Sequence, residues 1–462
     1  MFRLRLSVCS LIALTVVMSG CGSSCEAPQD LLITNATIID LTTGSLSDPQ
    51  QILIDGGEIT SIEPMSAHQP PVVVETIDAS GGFILPGLID VHAHIGDGGL
   101  GEQTLADQEQ ALEQFVRFGV TTIFVPGGGG GNDEQLTEWK RRCVAGEIVC
   151  PGLFGSGDIL TSYGSHPITT IWAMDANVDP ELAHQRGARS IRPDEAVTPY
   201  IAQKVKADVD AIKIIVDDGP GPFYPRPIFS AEKVKEIVEA ATAHNLNVVA
   251  HVSTAQHITI AVQGGVHATM HSAEDLIPDP LLATMAERGV HYVATLALYD
   301  GFDDKAHGRR EQDSYAERNV SPRALESLRD DAYWERVMDS PEESEAFMQS
   351  IFSNLIRAEK AGVPIALGTD VNNPQVFPGY SVHEEMELMV AAGFSLRRAL
   401  LAATTGGAHF LEATDELGSI EVGYKADLII LDQNPLDEIT HSRSLRLVIQ
   451  NGNVVRETAQ LR

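Results

Sequence analysis

Short apolar segments that alternate with amphipathic helical patterns between residues 85 and 414 most constrain the fold of this chain. Runs rich in Val, Ile, Ala and Leu, such as NVVA before His251, are typical of strands buried on both faces of a parallel sheet. The patterns AEKVKEIVEAATAHN after Ser230 and HEEMELMVAAG after Ser381 indicate helices, and each serine is a suitable N-cap. This alternation predicts an α/β fold, specifically a (β/α)8 TIM barrel.

Side chains that can bind metal ions lie at or near the ends of these apolar runs. His92 and His94 are two positions apart in ILPGLIDVHAHIGD, so in a strand they project from the same face and can bind one ion. Groups that follow parallel strands gather at one rim of a barrel, even when they are far apart in sequence. The sequence therefore predicts a metal centre that contains His92, His94, Lys213, His251, His271 and Asp370.

Lys213 is an unusual member of this set, because an ammonium group rarely lies within an apolar segment such as AIKIIV. Burial lowers the pKa of a lysine, and the neutral amine is a nucleophile that can take up carbon dioxide to form a carbamate. The two oxygens of that carbamate could bridge two metal ions. The alternative is that Lys213 lies at the strand edge and pairs with Asp217 or Asp218.

The combined pattern resembles the amidohydrolase superfamily, in the binuclear subtype that carries a carboxylated lysine on its fourth strand. The likeness covers about residues 30 to 455 and includes PGLIDVHAH, the Lys213 strand, the two later histidines, GTD and GSIEVGYKADLIILDQNPL. SGDILTSYGSH and AIKIIVDDG are most similar to the prolidase-like group, which includes Xaa-Pro and Xaa-Arg dipeptidases. One departure is that Val252, Ser253 and Thr254 follow His251, where the resembled dipeptidases often have a tyrosine.

The resemblance implies two divalent metal ions, with zinc as the default, and carbon dioxide for the carboxylation of Lys213. The HAH pair would hold one ion, the two later histidines would hold the other, and the carbamate would join them. A metal-bridging hydroxide would attack an amide bond, most readily in a dipeptide or an N-acyl amino acid. Asp370 would be the catalytic group that accepts a proton during the attack and passes it to the leaving group.

Other reactions stay open at this point. Lactones and cyclic amides contain carbonyl groups that the same attack would open. A mononuclear deaminase does not need a lysine on a strand, so Lys213 argues against that class. A noncatalytic binding lipoprotein is the third class, and the retention of all the ligands argues against it.

Substrate-binding residues are expected on loops at the same rim, where they could orient a carboxylate or polarise a carbonyl. Arg226 could form two hydrogen bonds with the carboxylate of a dipeptide, and the alternative is that it is solvated. The residues that fall on the predicted rim loops are His166, Tyr163, Tyr224, Arg226 and Tyr299.

Three other features of the sequence are not expected to bind metal ions. The run Gly127 to Gly131 lacks the Lys-Ser/Thr ending of a P-loop, so a flexible rim loop is expected. The charged segment 303–345 follows HYVATLALYD, the predicted seventh strand, and is either a lid or a solvated helical insertion. His244, His257 and His267 lie in or beside helical patterns and are left out of the ligand set.

Residues 1–20 have the pattern of a secretory signal peptide, in which two arginines precede an apolar run that ends at Met18. The run is shorter than the roughly twenty apolar residues that a transmembrane helix needs. Small residues before Cys21 resemble the bacterial lipobox, so lipidation of Cys21 and a tether at 21–30 are expected, with ordinary cleavage as the alternative. The expected location is the bacterial cell envelope, and the lack of Asp after Cys21 favours the outer membrane.

The two ends of the remaining chain predict a second domain. Segments 31–84 and 415–462 have strand patterns with Gly and Asp turns, and the resemblance implies that they form one β-sandwich beside the 85–414 barrel. Cys143 and Cys150 are close in sequence and could form a disulfide, which an exported compartment permits.

The composition limits the partners of the protein. The sequence has 32 basic and 64 acidic residues, a formal net charge of −32. This balance argues against nucleic acid as a partner, because phosphate binding needs clustered Lys and Arg. A small-molecule substrate is expected, together with membrane contact through the lipid anchor and, by resemblance, association as a homo-oligomer.

Overall fold

The computed structural model describes residues 29–65, 73–95, 104–128, 131–170, 172, 179–219, 226–307, 341–373 and 375–457 of the chain. The predicted signal peptide, Cys21, Tyr224 and most of the charged segment 303–345 lie outside these ranges. Strands and helices alternate along the described part, which confirms the mixed α/β content that the sequence predicts. None of the helices within these ranges is long and apolar enough to cross a membrane.

One sheet takes its strands from both ends of the chain. These strands are β1 Gln29–Asp40, β2 Ser45–Leu46, β3 Gln50–Asp55, β4 Glu58–Pro64, β5 Val73–Asp78, β6 Phe83–Pro86, β16 Leu428–Leu431, β17 Leu445–Gln450 and β18 Asn453–Glu457. Their order is β18-β17-β16-β6-β1-β3-β4, and β2 and β5 pair with β1. Alternate residues of these strands, including Ile33, Ile54, Ile84 and Ile430, pack in one apolar core. The predicted limits 31–84 and 415–462 stay a prediction.

The other strands pair in parallel. They are β7 Leu88–Asp90, β8 Val120–Val125, β9 Gly152–Gly155, β10 Ile159–Ser162, β11 Ala188–Ile191, β12 Ala211–Ile215, β13 Asn247–His251, β14 Ala268–Met270 and β15 His291–Val293. Two parallel sheets have the orders β7-β8-β9 and β11-β10-β12-β13-β14-β15. Short contacts join them, because Asp210 N donates to Gly155 O and parallel bridges pair Tyr292 with Ile365 and Ala93 with Val371. The pairings therefore return to β7 through segment 364–371.

Helices follow most of the parallel strands. They are α1 Leu105–Arg117, α2 Asp133–Val144, α3 Pro180–Gln185, α4 Thr198–Lys206, α5 Ala231–Thr242, α6 Ala255–Gly264, α7 Asp279–Arg288, α8 Leu296–Ala306, α9 Pro341–Ala361, α10 Tyr380–Ala392, α11 Leu396–Ala402 and α12 Thr405–Phe410. Ser230 caps α5, as predicted, by accepting a hydrogen bond from Lys233 N. The prediction for Ser381 is wrong, because α10 begins at Tyr380 and Ser381 accepts from Phe377 N within the first turn.

The predicted seventh strand is also too long. β15 ends at Val293, and the sequence LALYD belongs to α8 instead. The reason is Thr295, whose φ of 52° turns the chain out of the extended conformation directly before the helix. Tyr299 therefore lies on a helix and not on a rim loop.

Two local features fix loops of the parallel region. Cys143 and Cys150 form a disulfide with their Cα atoms 5.9 Å apart, which closes the turn after α2. At Gly127, φ is +82° and a Cβ atom would lie only 1.9 Å from the carbonyl oxygen of Gly157. A glycine is thus required where these two loops approach each other.

Candidate metal centre

The neighbouring residues His92 and His94 meet Asp370, which is distant from them in sequence. Its Oδ1 lies 2.9 Å from His94 Nε2 and 3.2 Å from His92 Nε2. His92 and His94 follow β7, and Asp370 ends the segment that pairs beside it, where Asp370 N donates to His92 O. The i, i+2 spacing of the histidines therefore places both rings on the same side, as the pattern suggests, with ring centroids 5.3 Å apart.

Lys213 lies in the middle of β12 and is 2% exposed. Its Nζ donates to Met270 Sδ at 2.9 Å. Burial lowers the pKa of Lys213 to about 7, and the negative charge of Asp370 opposes this only in part. The alternative partner Asp217 faces His251 instead, so the conditions expected for a neutral, nucleophilic amine are present.

His251 and His271 lie side by side, with ring centroids 4.3 Å apart, and each has a fixed orientation. Nε2 of His251 lies 2.8 Å from Asp217 Oδ2, while Nδ1 of His271 lies 2.9 Å from Thr295 Oγ1. Burial is the largest single influence and would raise the pKa of Asp217. The hydrogen bond and charge of His251, the charge of His166 and the hydrogen bond from Gly219 N together hold that pKa below its usual range. A carboxylate can only accept, so the Nε2 of His251 carries the proton and its Nδ1 lone pair is free.

The backbone at this centre adopts conformations that are rare for residues with side chains. His271 has a φ of 77° and Asp370 has a φ of 59°. Each such residue costs on the order of 1–3 kcal/mol and persists only where its surroundings hold it. Gly368 lies within the same turn, and a Cβ atom there would be 2.6 Å from His92 Cβ. The segment therefore passes the first histidine more closely than any residue other than glycine allows.

Asp90 holds the two ligand-bearing turns together. It is fully buried, and its Oδ1 accepts hydrogen bonds from His92 N at 3.0 Å and Thr369 N at 3.2 Å. Its Oδ2 accepts from Thr369 Oγ1 at 2.6 Å. One side chain thus joins the end of β7 to the residue that precedes Asp370.

A second group of possible ligands lies behind His251. Asp217, Asp218 and His257 each offer one ligand atom, and these atoms lie within 4.8 Å of one another. His257 is buried, and its Nδ1 lies 3.2 Å from Ser253 Oγ. Its Nδ1 also lies 3.9 Å from Asp217 Oδ1, so His257 is close to the partner of His251, and its exclusion from the ligand set stays a prediction.

The predicted substrate residues are placed differently from one another. The ring of His166 stacks at 5.1 Å from that of His251, and burial lowers the pKa of His166 to about 3. Arg226 donates to the carbonyl of Asp218 at 3.3 Å. Tyr163 packs under the guanidinium of Arg192, 3.8 Å from its ring centroid.

Tyr299 and Tyr224 complete this set. Tyr299 is buried, and its hydroxyl donates to Ser272 O at 3.4 Å, next to His271. Tyr224 lies outside the described residues. The structure thus brings His166, Arg226 and Tyr299 to the surroundings of the centre. It places Tyr163 against the guanidinium of Arg192.

The donors at Asp370 fit a divalent ion. Imidazole and carboxylate ligands bind zinc at about 2.0–2.2 Å, so two donors on one tetrahedral ion lie about 3.3 Å apart. The separations of 2.9 and 3.2 Å from Asp370 Oδ1 are close to that value. Burial, followed by the charge of Lys213, lowers the pKa of His92 well below its usual value and keeps the ring neutral. The described chain therefore contains His and Asp groups that could hold a metal ion.

Comparison with known proteins agrees with this chemistry. Residues 83–455 match the amidohydrolase family, and this range contains the parallel strands β7 to β15 and all six predicted ligands. The chain belongs to the amidohydrolase family. It is therefore a hydrolase of the family that acts on carbon–nitrogen bonds, which confirms the predicted enzyme class.

Two curated relatives of this amidohydrolase extend over most of its length. The ochratoxinase of Aspergillus niger is 27% identical over 404 residues, which cover 81% of this chain and 73% of the relative. The imidazolonepropionase of Geobacillus sp. strain WCH70 is 24% identical over 433 residues, which cover 84% of each protein. The chain is similar to both, and their names differ in the substrate.

Solved structures give the same architecture for this amidohydrolase. A Xaa-Pro dipeptidase with methionine bound in its active site has a TM-score of 0.73 and 26% identity, over 92% of this chain and 99% of that one. Molinate hydrolase has a TM-score of 0.72 and 22% identity, over 92% of this chain and 94% of that one. At 22% identity, the likeness to molinate hydrolase concerns the fold alone.

Several residues that contact the predicted ligands of this amidohydrolase or the turns beside them were not predicted from the sequence. Thr295, Glu385 and Asp90 bond to backbone or ring atoms near the ligands, and no spacing in the sequence points to these contacts. Asp217 was considered only as a partner of Lys213. The sequence DDG directly after an apolar strand could have placed Asp217 near the predicted ligands, because residues that follow the parallel strands of a barrel lie at one rim.

Proposed function

We propose that the protein is a metal-dependent hydrolase with two metal ions that cleaves an amide bond in a dipeptide or an N-acyl amino acid. The observation that carries this proposal is the meeting of His92 and His94 on Asp370, 3.2 Å or less from one carboxylate oxygen. Lys213, buried in β12 with a pKa near 7 and within electrostatic reach of Asp370, supplies the second part of the same centre.

We further propose that the parallel strands close as a (β/α)8 barrel, with β9 and β10 as the third strand and segment 364–371 as the eighth. The support is the cycle of pairings that returns to β7. Side chains from these strands also pack together in one inner core, which includes Ile89, Phe124, Val249, Val293 and Ala366. The sheet from the two chain ends would then be the β-sandwich domain.

In this proposal the HAH pair and Asp370 would hold one ion, and His251 and His271 would hold the other. A carboxylated Lys213 would supply anionic oxygen ligands to the centre, and zinc is the expected metal. When bound, such ions polarise a substrate carbonyl and make water more acidic. The free lone pairs on His251 and His271 follow from the partners that occupy their other nitrogens.

The chain itself moves the proton. Asp370 accepts a proton at a carboxylate oxygen as water attacks the scissile carbonyl, and then donates it to the leaving amine nitrogen. The positive φ of Asp370 and the bond from its backbone N to His92 O hold the carboxylate in place for both steps.

The substrate class rests on the rim residues. Arg226 carries a positive charge beside Asp218 and His166, where it can bind the carboxylate of a dipeptide or an N-acyl amino acid. His166, buried and neutral, can donate a hydrogen bond to a carbonyl, and Tyr299 is buried beside the residue that follows His271. The likeness to a Xaa-Pro dipeptidase with methionine bound supports the same class.

A cyclic amide is the second candidate. The imidazolonepropionase relative covers 84% of this chain, so ring opening by the same attack is a reaction that the assay must include.

The test is metal content and turnover on protein truncated after Cys21. We expect two ions per chain and hydrolysis within a panel of Xaa-Pro and Xaa-Arg dipeptides, N-acyl amino acids, lactones and imidazolones. Asp370→Asn should abolish turnover while the protein keeps at least one ion. One ion per chain, unchanged by Lys213→Ala, would contradict the binuclear proposal and favour a mononuclear deaminase. Two ions without turnover on any panel member would favour a binding protein.

We also propose that the protein is exported and anchored by lipid at Cys21. The support is the sequence pattern alone, since residues 1–28 lie outside the described ranges. Metabolic labelling with a radioactive fatty acid, compared between the wild type and Cys21→Ser, tests this. Equal labelling of both, or label in neither, would contradict the anchor.

A further inference from the structure

Glu385 is a buried carboxyl group that the proposed reaction does not use. It lies on α10, is 1% exposed and faces the start of α8. Its Oε1 accepts from Leu296 N at 2.9 Å, and its Oε2 accepts from Ala297 N at 2.6 Å. Burial raises the pKa of Glu385 to about 8, so its position is unfavourable for an ionised carboxylate. Because burying a carboxyl group costs free energy, its presence here indicates that the two hydrogen bonds it accepts have a structural role.

The turn that Glu385 holds begins at Thr295. This residue has a φ of 52°, a conformation that is strained for a β-branched side chain. The two N–H groups bonded to Glu385 belong to the next two residues, Leu296 and Ala297. Fixing them fixes the direction in which the chain leaves β15, and so stabilises the strained residue.

Thr295 in turn holds His271. Its Oγ1 lies 2.9 Å from Nδ1 of the ring, and the backbone N of His271 donates to Val293 O at 2.8 Å. Both the ring and the backbone of His271 are therefore attached to segment 293–295. The ring is 3% exposed and its Nε2 is the nitrogen left for a metal ion.

We propose that Glu385 is a positioning residue that orients His271 through the turn at 295–297, and so sets the affinity of the centre for its second ion. The inference rests on the proposed function, because it takes His271 as a ligand of that ion. A carboxyl group is required, since each of its two oxygens accepts from one of two successive N–H groups. A glutamine would place an amide N–H against one of these donors and leave it unpaired.

The test compares Glu385→Gln with Glu384→Gln, its neighbour on α10, whose Oε2 accepts from Ser381 Oγ. Zinc affinity is measured for each of the two ions by chelator competition, with circular dichroism as the check on folding. We expect Glu385→Gln to weaken the second ion about 10- to 100-fold, the usual effect of losing a group that orients a ligand, and to leave the first ion bound. Glu384→Gln should match the wild type at both ions.

Two more variants make each outcome decisive. His271→Ala should lose the second ion, and if it keeps both ions the proposed ligand set fails. If His271→Ala loses the ion while Glu385→Gln binds both as the wild type does, only the positioning role is overturned. Thr295→Val removes the hydroxyl and tests the same path if Glu385→Gln does not fold. Wild-type affinity for both ions in Thr295→Val would overturn the inference.

Discussion

Asp217→Asn should weaken metal binding, because this side chain accepts two hydrogen bonds that an amide cannot both accept. Oδ1 accepts from Gly219 N at 2.7 Å, and Oδ2 accepts from His251 Nε2 at 2.8 Å. Asparagine has one acceptor oxygen. If that oxygen accepts from Gly219 N, the amide N–H faces Nε2 of His251. This favours the His251 tautomer that has its proton on Nδ1, the nitrogen that would bind the ion.

The size of the effect follows from this tautomer change. Losing a group that orients a metal ligand lowers affinity by about 10- to 100-fold, or about 1.4–2.7 kcal/mol. Chelator competition against zinc measures this value, and Asp218→Asn is the matched control because no hydrogen bond joins its side chain to His251. The reasoning is wrong if Asp217→Asn binds both ions as tightly as the wild type, or if both variants lose affinity equally.

Three further predictions follow from other contacts. Lys213→Ala should bind fewer than two zinc ions and take up no ¹³C-labelled carbon dioxide by NMR; wild-type stoichiometry would exclude a bridging carbamate. Gly368→Ala should lower the free energy of unfolding by about 1–3 kcal/mol and reduce metal content, because its Cβ would lie 2.6 Å from His92 Cβ. Cys143→Ser/Cys150→Ser should lower the free energy of unfolding in urea by about 2.4 kcal/mol, because the disulfide no longer restricts a short loop of the unfolded chain. Turnover should stay unchanged, and a loss of turnover would contradict the expectation that the disulfide stabilises the fold without affecting the site.

The clustering of these six side chains could be predicted because each has a signal in the sequence, and their role as metal ligands stays a prediction. Apolar runs mark the parallel strands, and a residue at the end of such a run lies at the rim whatever its distance in sequence. His92 and His94 carry the i, i+2 spacing, and Lys213 is an ionisable residue within an apolar strand. These signals depend only on side-chain periodicity and the cost of burying charge, so they hold before any tertiary contact is known.

The end of β15 was harder to predict, because tertiary contacts decide it. The segment VATLALYD begins with apolar and β-branched residues, as strands do, so the sequence pattern alone favours an extended conformation. The chain instead turns at Thr295 and enters α8, where Glu385 accepts the first two N–H groups from a helix about ninety residues later in the sequence. A contact between residues so far apart leaves no local pattern.

His271, Thr295 and Asp370 all have positive φ, and all three lie where a strand of the parallel region ends. Together these three backbone conformations lower the stability of the fold by on the order of 3–9 kcal/mol, which is comparable with the whole free energy of unfolding of a typical domain. Buried carboxylates lie beside these turns: Asp90 binds the residue before Asp370, and Glu385 binds the residues after Thr295. Because each carboxylate is itself costly to bury, stability alone does not explain the arrangement. Holding the ligands in one geometry before an ion or a substrate arrives does explain it, since a ligand that is already oriented loses less entropy on binding.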